Sequence, residues 1–235
     1  DSGFQTLLDA QKNRSREAGK ITADDWQIVV EHAGATEFIG YDHTEGAIQL
    51  LRYRKVTAKK KTLVQAVFDR SPFYPEGGGQ VGDRGAITSE DGTVYQVLDT
   101  KKENNLIVHV LDRVPTGSAF TAQVDVALRH SSARNHSATH LLHEALREVL
   151  GTHVEQKGSL VKPDGLRFDF SHFQKVTEEE LTKIERLVQQ RILANLACTE
   201  HRDMAIADAQ AAGAMMLFGE KYGNTVRMIE FGSSK

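Results

Sequence analysis

The segment RNHSATHLLH, residues 134–143, marks the point where the pattern of the chain changes. Short strand-like runs precede it, whereas apolar residues with a period of about 3.6 surround and follow it, as in helices. His136, His140 and His143 are spaced four and three residues apart, so a helix places their side chains along one face. Two imidazoles at i and i+4 can hold one divalent ion, but a zinc site needs three or four protein ligands. The spacing therefore predicts either half of a metal site or a helix with polar histidines on its outer face.

Composition narrows the class of protein. Of the 235 residues, 40% are hydrophobic and 26% are charged, as in globular proteins, and no apolar run is long enough to span a bilayer. No secretory signal is recognisable near the start, so we expect a cytoplasmic location. The single cysteine, Cys198, excludes an internal disulfide and a cysteine-rich zinc site. The net charge of −3 argues against tight non-specific binding of DNA or RNA by the whole surface.

The first half of the chain predicts a small closed β-barrel. Short segments rich in β-branched and aromatic residues are separated by turns about every eight to twelve residues. They cover residues 26–30, 37–41, 47–53, 62–68, 85–88, 94–100, 106–110 and 119–126. Among them lies PFYPEGGGQVGD (72–83), whose three consecutive glycines favour a tight structural turn. This loop lacks the Lys-Ser/Thr pair of a phosphate-binding P-loop.

The second half predicts helices. A long helix is expected over residues 126–150, with Gly151 as its stop. Thr177 and Glu180 form a capping box at the start of a second helix, and Asp203 is expected to cap a short Ala-rich one. The other expected elements are a hairpin over 159–170, a helical turn over 216–222 and a strand over 226–231.

These elements together predict an α+β fold. A β-barrel is followed by a domain in which helices pack on an antiparallel sheet. We expect three parts in the chain: residues 1–20 as the end of a preceding helical domain, 21–125 as the barrel with the Gly-rich loop, and 126–235 as the α+β core.

Some catalytic chemistries do not suit these residues. A zinc metalloprotease needs a glutamate directly after the first histidine of the pair, where Ser137 stands. Cys198 lies among apolar residues, where a buried, inert thiol is commoner than a nucleophile. The basic run over 52–61 could contact phosphates, although a strand edge protected by lysines explains it more simply.

Five segments, in order and with compatible spacing, together resemble the editing region of alanyl-tRNA synthetases: PFYPEGGGQVGD (72–83), NHSATH (135–140), GTHVEQKGSLV (151–161), LRFDFS (166–171) and AMMLFGEKY (214–222). The resemblance runs from about residue 36 to the end, and residues 3–18 resemble the end of the helical tRNA-recognition domain. It implies hydrolysis of the ester of tRNA(Ala) that carries serine or glycine. The implied partners are the acceptor end of tRNA(Ala) and the other domains of the synthetase, with no membrane and no DNA.

The resemblance also implies a zinc cofactor. His136 and His140 match two zinc ligands of the family, while His143 matches none and is expected on the helix surface. The family completes its metal site with a Cys-Gly-Gly-Thr-His segment, and this chain ends at residues 232–235, where that segment would begin. We therefore expect weak zinc affinity and weak activity from these 235 residues alone.

Pocket residues follow from the same resemblance. Thr139 and Gln156 match important pocket positions, and because neither titrates near neutral pH we expect them to orient substrate or water. The Gly-rich loop becomes an expected pocket wall or serine-selectivity element, formed by Gly77, Gly78, Gly79 and Gln80.

Two further functions compete with this interpretation. One is a freestanding editing hydrolase of the same superfamily, which the synthetase-like residues 3–18 disfavour. The other is a tRNA-binding module without chemistry, in which the basic run over 52–61, with Arg129 and Arg134, grips the acceptor end.

Overall fold

The structure is a computed structural model that describes residues 22–32, 34–58, 61–214 and 223–232. The helical segments expected near residues 1–20 and 216–222 lie outside this part of the chain. Within it, no helix is long and apolar enough to cross a membrane. The chain divides into two compact units, named here the barrel unit (Asp1–Ser132 with Lys162–Asp164) and the helical unit (Ala133–Val161 with Gly165–Lys235).

Six strands of the barrel unit close into an antiparallel barrel. The strands described in this unit are β1 (Thr22–Ala23), β2 (Gln27–Ile28), β3 (Glu37–Phe38), β4 (Glu45–Ala58), β5 (Lys61–Phe68), β6 (Arg70–Ser71), β7 (Gly85–Ser89), β8 (Val94–Glu103), β9 (Leu106–Leu111) and β10 (Ala119–Val124). Around the barrel the order is β4, β10, β7, β8, β9 and β5, and β5 pairs back with β4. The predicted small barrel is confirmed, and its closure leaves these six strands no open edge in the ring.

Alternating side chains build the barrel core. In β10, Phe120, Ala122 and Val124 are buried, while the residues between them are exposed. Successive side chains on a strand point to opposite faces, so one face of each strand fills the barrel. Phe68 and Phe73, both fully buried, belong to the same core cluster.

A buried histidine is part of this core. Nδ1 of His109 lies 3.3 Å from the carbonyl oxygen of Ala66, and its Nε2 lies 2.7 Å from Oγ of Ser71. The carbonyl can only accept, so Nδ1 carries the proton and the Ser71 hydroxyl donates to Nε2. The same Oγ accepts the main-chain N–H of Phe73 at 3.1 Å. Burial lowers the pKa of His109 to about 4, so the ring is neutral near pH 7 and ties β9 to the start of the Gly-rich loop.

The helical unit confirms the expected α+β pattern. The remaining elements are α1 (Val126–Leu150), β11 (Gln156–Lys162), β12 (Gly165–Phe170), α2 (Glu178–Leu193), β13 (Cys198–Ala205), α3 (Ile206–Ala211) and β14 (Thr225–Phe231). The boundary between the units falls within α1, after Ser132. In the helical unit, Ala145 and Leu146 of α1 form a core cluster with Ile184 of α2, and Phe168 of β12 packs against it.

The predicted stop of α1 and the predicted capping box of α2 are confirmed, and the structure adds a cap at the start of α1. The main-chain N–H of Leu128 donates to Oδ1 of Asp125 at 3.0 Å, which caps α1. Gly151 ends the helix with φ of 115°. At α2, the main-chain N–H of Thr177 donates to the Glu180 carboxylate at 2.8 Å, and that of Glu180 donates back to Oγ1 of Thr177 at 3.2 Å.

Two local predictions near the end of the chain are wrong. Asp203 caps no helix, because it lies in β13 with φ of 54°, at an irregularity in the pairing with β14 between His201 and Met204. A short polar side chain tolerates this left-handed backbone, which explains why an aspartate stands there. Cys198, expected to be buried, is exposed at the start of the same strand. Most residues of β13 are exposed, so the strand lacks the apolar alternation by which strands are recognised.

The buried His109 predicts acid sensitivity of the barrel. An unfolded chain protonates this ring near pH 6.5, whereas the folded barrel does so near pH 4, so below pH 6.5 the unfolded state binds more protons. The free energy of unfolding contributed by this ring is intact above pH 6.5 and falls by up to about 1.4 kcal/mol per pH unit as the pH drops toward 4. Urea unfolding at several pH values, followed by fluorescence of the single tryptophan, Trp26 in the barrel unit, measures this slope.

The variant His109→Gln should unfold with a shallower pH dependence over that window, because its side chain does not titrate. The exposed His130 on α1 offers a matched control, and His130→Gln should keep the slope of the parent. Equal slopes for His109→Gln and the parent would contradict the assignment.

Candidate functional site

The structure brings His136 and His140 together on α1. Their ring centroids are 5.3 Å apart and the ring planes differ by 12°, as expected for residues one turn apart on a helix. His136 is half-buried and His140 is more exposed. Two nitrogen donors therefore stand side by side on a rigid element, as the sequence spacing predicts.

Both rings favour the neutral form. Burial, then the neighbouring His140, then Arg227 lower the pKa of His136 to about 4. Partial burial of its ring and then His143 lower the pKa of His140 as well. Metal ions bind the neutral imidazole, so near pH 7 no proton has to leave before these rings can act as ligands.

A fixed cation contributes to this environment. Arg227 lies on β14, and its Nε donates to the carboxylate of Glu200 on β13. Glu200 also accepts from Nε of Arg202 at 2.9 Å. The same two strands also carry Asp203 and Glu230, so the hairpin as a whole has two arginines and three carboxylates. What reaches His136 is the charge of Arg227, which disfavours a proton on that ring.

The donor set is half of a zinc site. In the described part of the chain, no group of three or more His, Cys, Asp or Glu side chains is placed to hold a metal ion. The two imidazoles fit zinc in donor type and protonation, and a complete site needs one or two further ligands.

Thr139 lies between the two histidines and is 3% exposed. Its hydroxyl donates to the carbonyl oxygen of Asn135 at 2.8 Å, a bond along the helix. Because the proton is engaged there, the lone pairs of Oγ1 remain for accepting a hydrogen bond. Thr139 therefore suits an acceptor role.

Gln156 begins β11 in the same unit and is half-buried. Its Nε2 lies 3.4 Å from Oγ of Ser159, a long contact that holds the amide loosely. An amide offers both donor and acceptor atoms, so Gln156 can orient a polar substrate group without titrating.

His143 is not the surface residue that was expected. It is 5% exposed, and its ring centroid lies 5.2 Å from that of Phe168 on β12. Burial is the main cause that lowers its pKa. The hairpin of β11 and β12 covers this part of the helix, which the helix sequence alone cannot reveal.

The Gly-rich loop is a tight turn within the barrel unit. Gly77 and Gln80 exchange main-chain hydrogen bonds of 3.1 and 3.0 Å, and the two residues between them, Gly78 and Gly79, have φ of 57° and 79°. Positive φ at both central positions is typical of a type I′ turn, which glycine adopts without strain. The structural turn favoured by composition is observed, and the role of Gln80, which is 5% exposed, as a pocket element stays a prediction.

Arg129, which the sequence suggested as a contact for the acceptor end of tRNA, instead binds the two ends of this loop. Nε of Arg129 donates to Oδ2 of Asp83 at 2.6 Å, and its Nη atoms donate to the carbonyl oxygens of Gly40 at 2.8 Å and Pro72 at 2.7 Å. The side chains of Arg129 and Asp83 are 13% and 5% exposed. Sequence reasoning missed this pair because its members stand 46 residues apart.

Two arginines of the basic run over 52–61 also make contacts within the barrel unit. Arg54 pairs with Glu103 at 3.1 Å and stacks over the ring of Trp26 at 4.3 Å, and Arg52 lies over the same ring at 5.3 Å. Lys59 and Lys60 lie outside the described residues. Arg52 and Arg54 therefore fasten the β2 segment to the barrel, which weakens the case for the run as an RNA grip.

The geometry of the Gly-rich loop predicts how strongly four Gly→Ala substitutions lower the free energy of unfolding. Gly78→Ala and Gly79→Ala each force a side chain into positive φ and should lower the free energy of unfolding by about 1–2 kcal/mol. Gly82→Ala should do more, because a Cβ there would lie 1.9 Å from the carbonyl oxygen of Thr100. The matched control is Gly77→Ala, whose Cβ would meet nothing closer than 3.7 Å. Urea unfolding followed by Trp26 fluorescence ranks the four, and a Gly77→Ala loss equal to that of Gly79→Ala would contradict the turn assignment.

Comparison with known proteins identifies the family. The family model described as tRNA synthetases class II (A) matches residues 1–131. The alanine–tRNA ligase of Porphyromonas gingivalis is 52% identical over all of this chain and 27% of the relative, and that of Bacteroides fragilis is 56% identical over 98% of the chain and 26% of the relative. The ligase of Flavobacterium psychrophilum is 50% identical over the whole chain and 28% of its own length.

The chain thus spans about a quarter of the length of the curated relatives it matches. The family model covers more than half of the chain, and the relatives align along nearly all of it. The chain belongs to the class II (A) family of tRNA synthetases.

Proposed function

We propose that this chain is the editing hydrolase segment of an alanyl-tRNA synthetase, which cleaves the ester of tRNA(Ala) that carries serine or glycine. The observation that carries the proposal is the pair of neutral imidazoles, His136 and His140, that flank the buried acceptor Thr139 on one helix. Relatives named alanine–tRNA ligase support the parent enzyme class. The partners are the acceptor end of tRNA(Ala) and the remaining parts of the synthetase, in the cytoplasm where translation occurs.

A second, hydrolytic site answers a physical limit on selectivity. A synthetic site shaped for alanine cannot strongly exclude the smaller glycine or the slightly larger serine, because one small group changes binding by only about 1–3 kcal/mol. When a separate site hydrolyses the wrong ester, the overall selectivity is the product of the selectivity of the synthetic site and that of the hydrolytic site. Correctly charged alanine escapes if the editing site is built around hydrogen bonds that alanine cannot make.

Zinc is the proposed cofactor, with His136 and His140 as two of its ligands. When bound, zinc would polarise an oxygen of the substrate or fix the tRNA end, and the remaining ligands have to come from outside the described residues. The part played by this chain is to keep both imidazoles neutral and held on one face of α1.

The hydrogen-bonding residues orient the substrate. Oγ1 of Thr139 has its proton engaged with Asn135, so it accepts from the serine hydroxyl, the ribose hydroxyl or the attacking water. Gln156 offers a second contact of either polarity. Neither side chain acts as a base at neutral pH, so the proton released in hydrolysis passes to water or to the substrate itself.

The cation of Arg227 on β14 suits the same substrate. Arg227 raises the electrostatic potential around His136, which attracts the tRNA phosphates. The tRNA-binding alternative without chemistry loses support, since Arg129 and Arg54 are engaged in barrel contacts.

Metal dependence gives the first test of this proposal. The 235-residue chain and a version extended through the expected Cys-Gly-Gly-Thr-His segment are compared for bound zinc and for deacylation of seryl-tRNA(Ala). We expect zinc near one per chain and fast hydrolysis only in the extended form, because two imidazoles alone bind zinc weakly. His136→Ala and His140→Ala in the extended form should remove both zinc and activity.

The control for these variants is His130→Ala, which removes an exposed histidine from the same helix and should change neither property. Equal hydrolysis by the short and extended forms would show that these ligands are dispensable. Failure of both forms to hydrolyse seryl-tRNA(Ala) would refute the editing function.

Thr139 gives the second test. Thr139→Val keeps the buried volume but removes the acceptor oxygen, so kcat/KM for seryl-tRNA(Ala) should fall by about 10- to 100-fold, as for loss of a hydrogen bond worth roughly 1.5–3 kcal/mol. Thr139→Ser keeps the oxygen and should retain most of the activity. The two variants should unfold at similar urea concentrations, and a Thr139→Val enzyme with full activity would exclude a role for this hydroxyl.

A further inference from the structure

Three aromatic rings lie together in the helical unit, away from α1 residues 136–140. We name His153, His172 and Phe173 the ring cluster. The ring centroids of His153 and Phe173 are 4.6 Å apart with planes 21° from parallel, a stacked arrangement. Nε2 of His153 and Nδ1 of His172 share a hydrogen bond of 2.9 Å, and these two rings are nearly coplanar, with planes 20° apart.

The ring cluster lies next to the ends of regular elements of the helical unit. His153 follows Gly151, where a Cβ would lie 2.9 Å from Nδ1 of the His153 ring, so the absence of a side chain there lets the ring pack against the end of α1. His172 lies two residues after the end of β12 and precedes Thr177, the cap of α2. Phe173 therefore stacks on a histidine that shares a hydrogen bond with His172.

Phe173 is nevertheless 88% exposed. A solitary exposed apolar side chain is common and needs no explanation, but such a side chain usually moves freely in water. Here one face of the ring stacks on His153 while most of its surface stays open to solvent. A preorganised aromatic face loses little conformational entropy when a flat ligand stacks on it.

We propose that the ring cluster is a platform on which an unpaired nucleobase of RNA stacks. Proteins hold unpaired bases on phenylalanine and histidine rings, and the contact tolerates any base because every base has a π-face. The exposed cation of Lys175, two residues further on, forms no ion pair in the described part of the chain and suits the adjoining phosphate. A single ring is far too small for a stable protein interface, which buries about 800 Å² on each partner.

This inference rests on the proposed function, because the acceptor end of a tRNA is the unpaired RNA that an editing enzyme meets. It deepens that function by assigning a base-stacking subsite that is separate from the histidine pair on α1. The first turn of α2 carries three carboxylates, Glu178, Glu179 and Glu180, so the proposed affinity comes from stacking on Phe173 and not from charge attraction.

Binding of a short RNA tests the platform directly. The probe is a 5′-labelled single-stranded ACCA tetranucleotide, compared with a tetranucleotide of the same backbone that lacks bases, with affinity read by fluorescence anisotropy at fixed salt. Phe173→Ala should weaken binding of ACCA by about 5- to 150-fold, and Phe173→Tyr, which keeps a stacking ring, should bind as the parent does. The abasic probe should bind weakly and equally to all three.

Leu193→Ala is the matched control, because Leu193 is 81% exposed in the same unit and its truncation also removes exposed apolar surface. It should leave ACCA binding unchanged. Equal ACCA affinity for Phe173→Ala and the parent, or an equal loss with the abasic probe, would overturn the proposal, as would the absence of ACCA binding by the parent.

Failure of the platform and failure of the editing function are distinguishable. Hydrolysis of seryl-tRNA(Ala) by the extended form is measured separately, with KM and kcat resolved. A platform residue should raise KM in Phe173→Ala with little change in kcat, because stacking is equally present in ground and transition states. ACCA binding that depends on Phe173 in a protein without hydrolysis would retain the platform and reject the enzyme.

Discussion

The buried ion pair between Arg129 and Asp83 is the interaction on which the barrel unit most depends. Two charges removed from water are costly, and they are tolerated only when every donor and acceptor is satisfied. Here the guanidinium also binds the carbonyl oxygens of Gly40 and Pro72, and Asp83 also accepts the main-chain N–H of Tyr74 at 2.8 Å. Loss of one partner from such a pair costs about 3–5 kcal/mol, because the other charge is left buried alone.

This pair fixes the Gly-rich loop at both of its ends. Pro72 stands at the start of the loop and Asp83 at its close, so the first turn of α1 sets the separation between them. Between these anchors, Gly82 lies against the main chain of Thr100 too closely for any side chain, and the type I′ turn reverses the chain at Gly78 and Gly79. Glycine is therefore needed at these positions because of the close approach at Gly82 and the positive φ at Gly78 and Gly79, whatever contact the loop makes with substrate. A cluster of glycines in a sequence predicts such a turn but not what surrounds it.

Local patterns sufficed for those features that depend on neighbours in sequence. The Thr177–Glu180 capping box, the stop at Gly151 and the alternating strands of the barrel all rest on interactions within a few residues or on simple periodicity. Features that need a distant partner were missed. His143 is buried because Phe168 covers it, and Arg129 is buried because Asp83 lies 46 residues away. Of the candidate site, sequence placed the two histidines side by side, but the environment that lowers their pKa values required the fold.

The charge around the histidine pair constrains what can complete a metal site there. His136 and His140 are neutral, and Arg227 adds positive charge that disfavours a further cation as it disfavours a proton. Glu200 contacts both Arg227 and Arg202, and Asp203 and Glu230 lie on the same two strands. A zinc ion bound by two neutral imidazoles would keep its full double charge beside this cation. A thiolate or carboxylate among the remaining ligands would neutralise part of that double charge, which a third neutral imidazole would not.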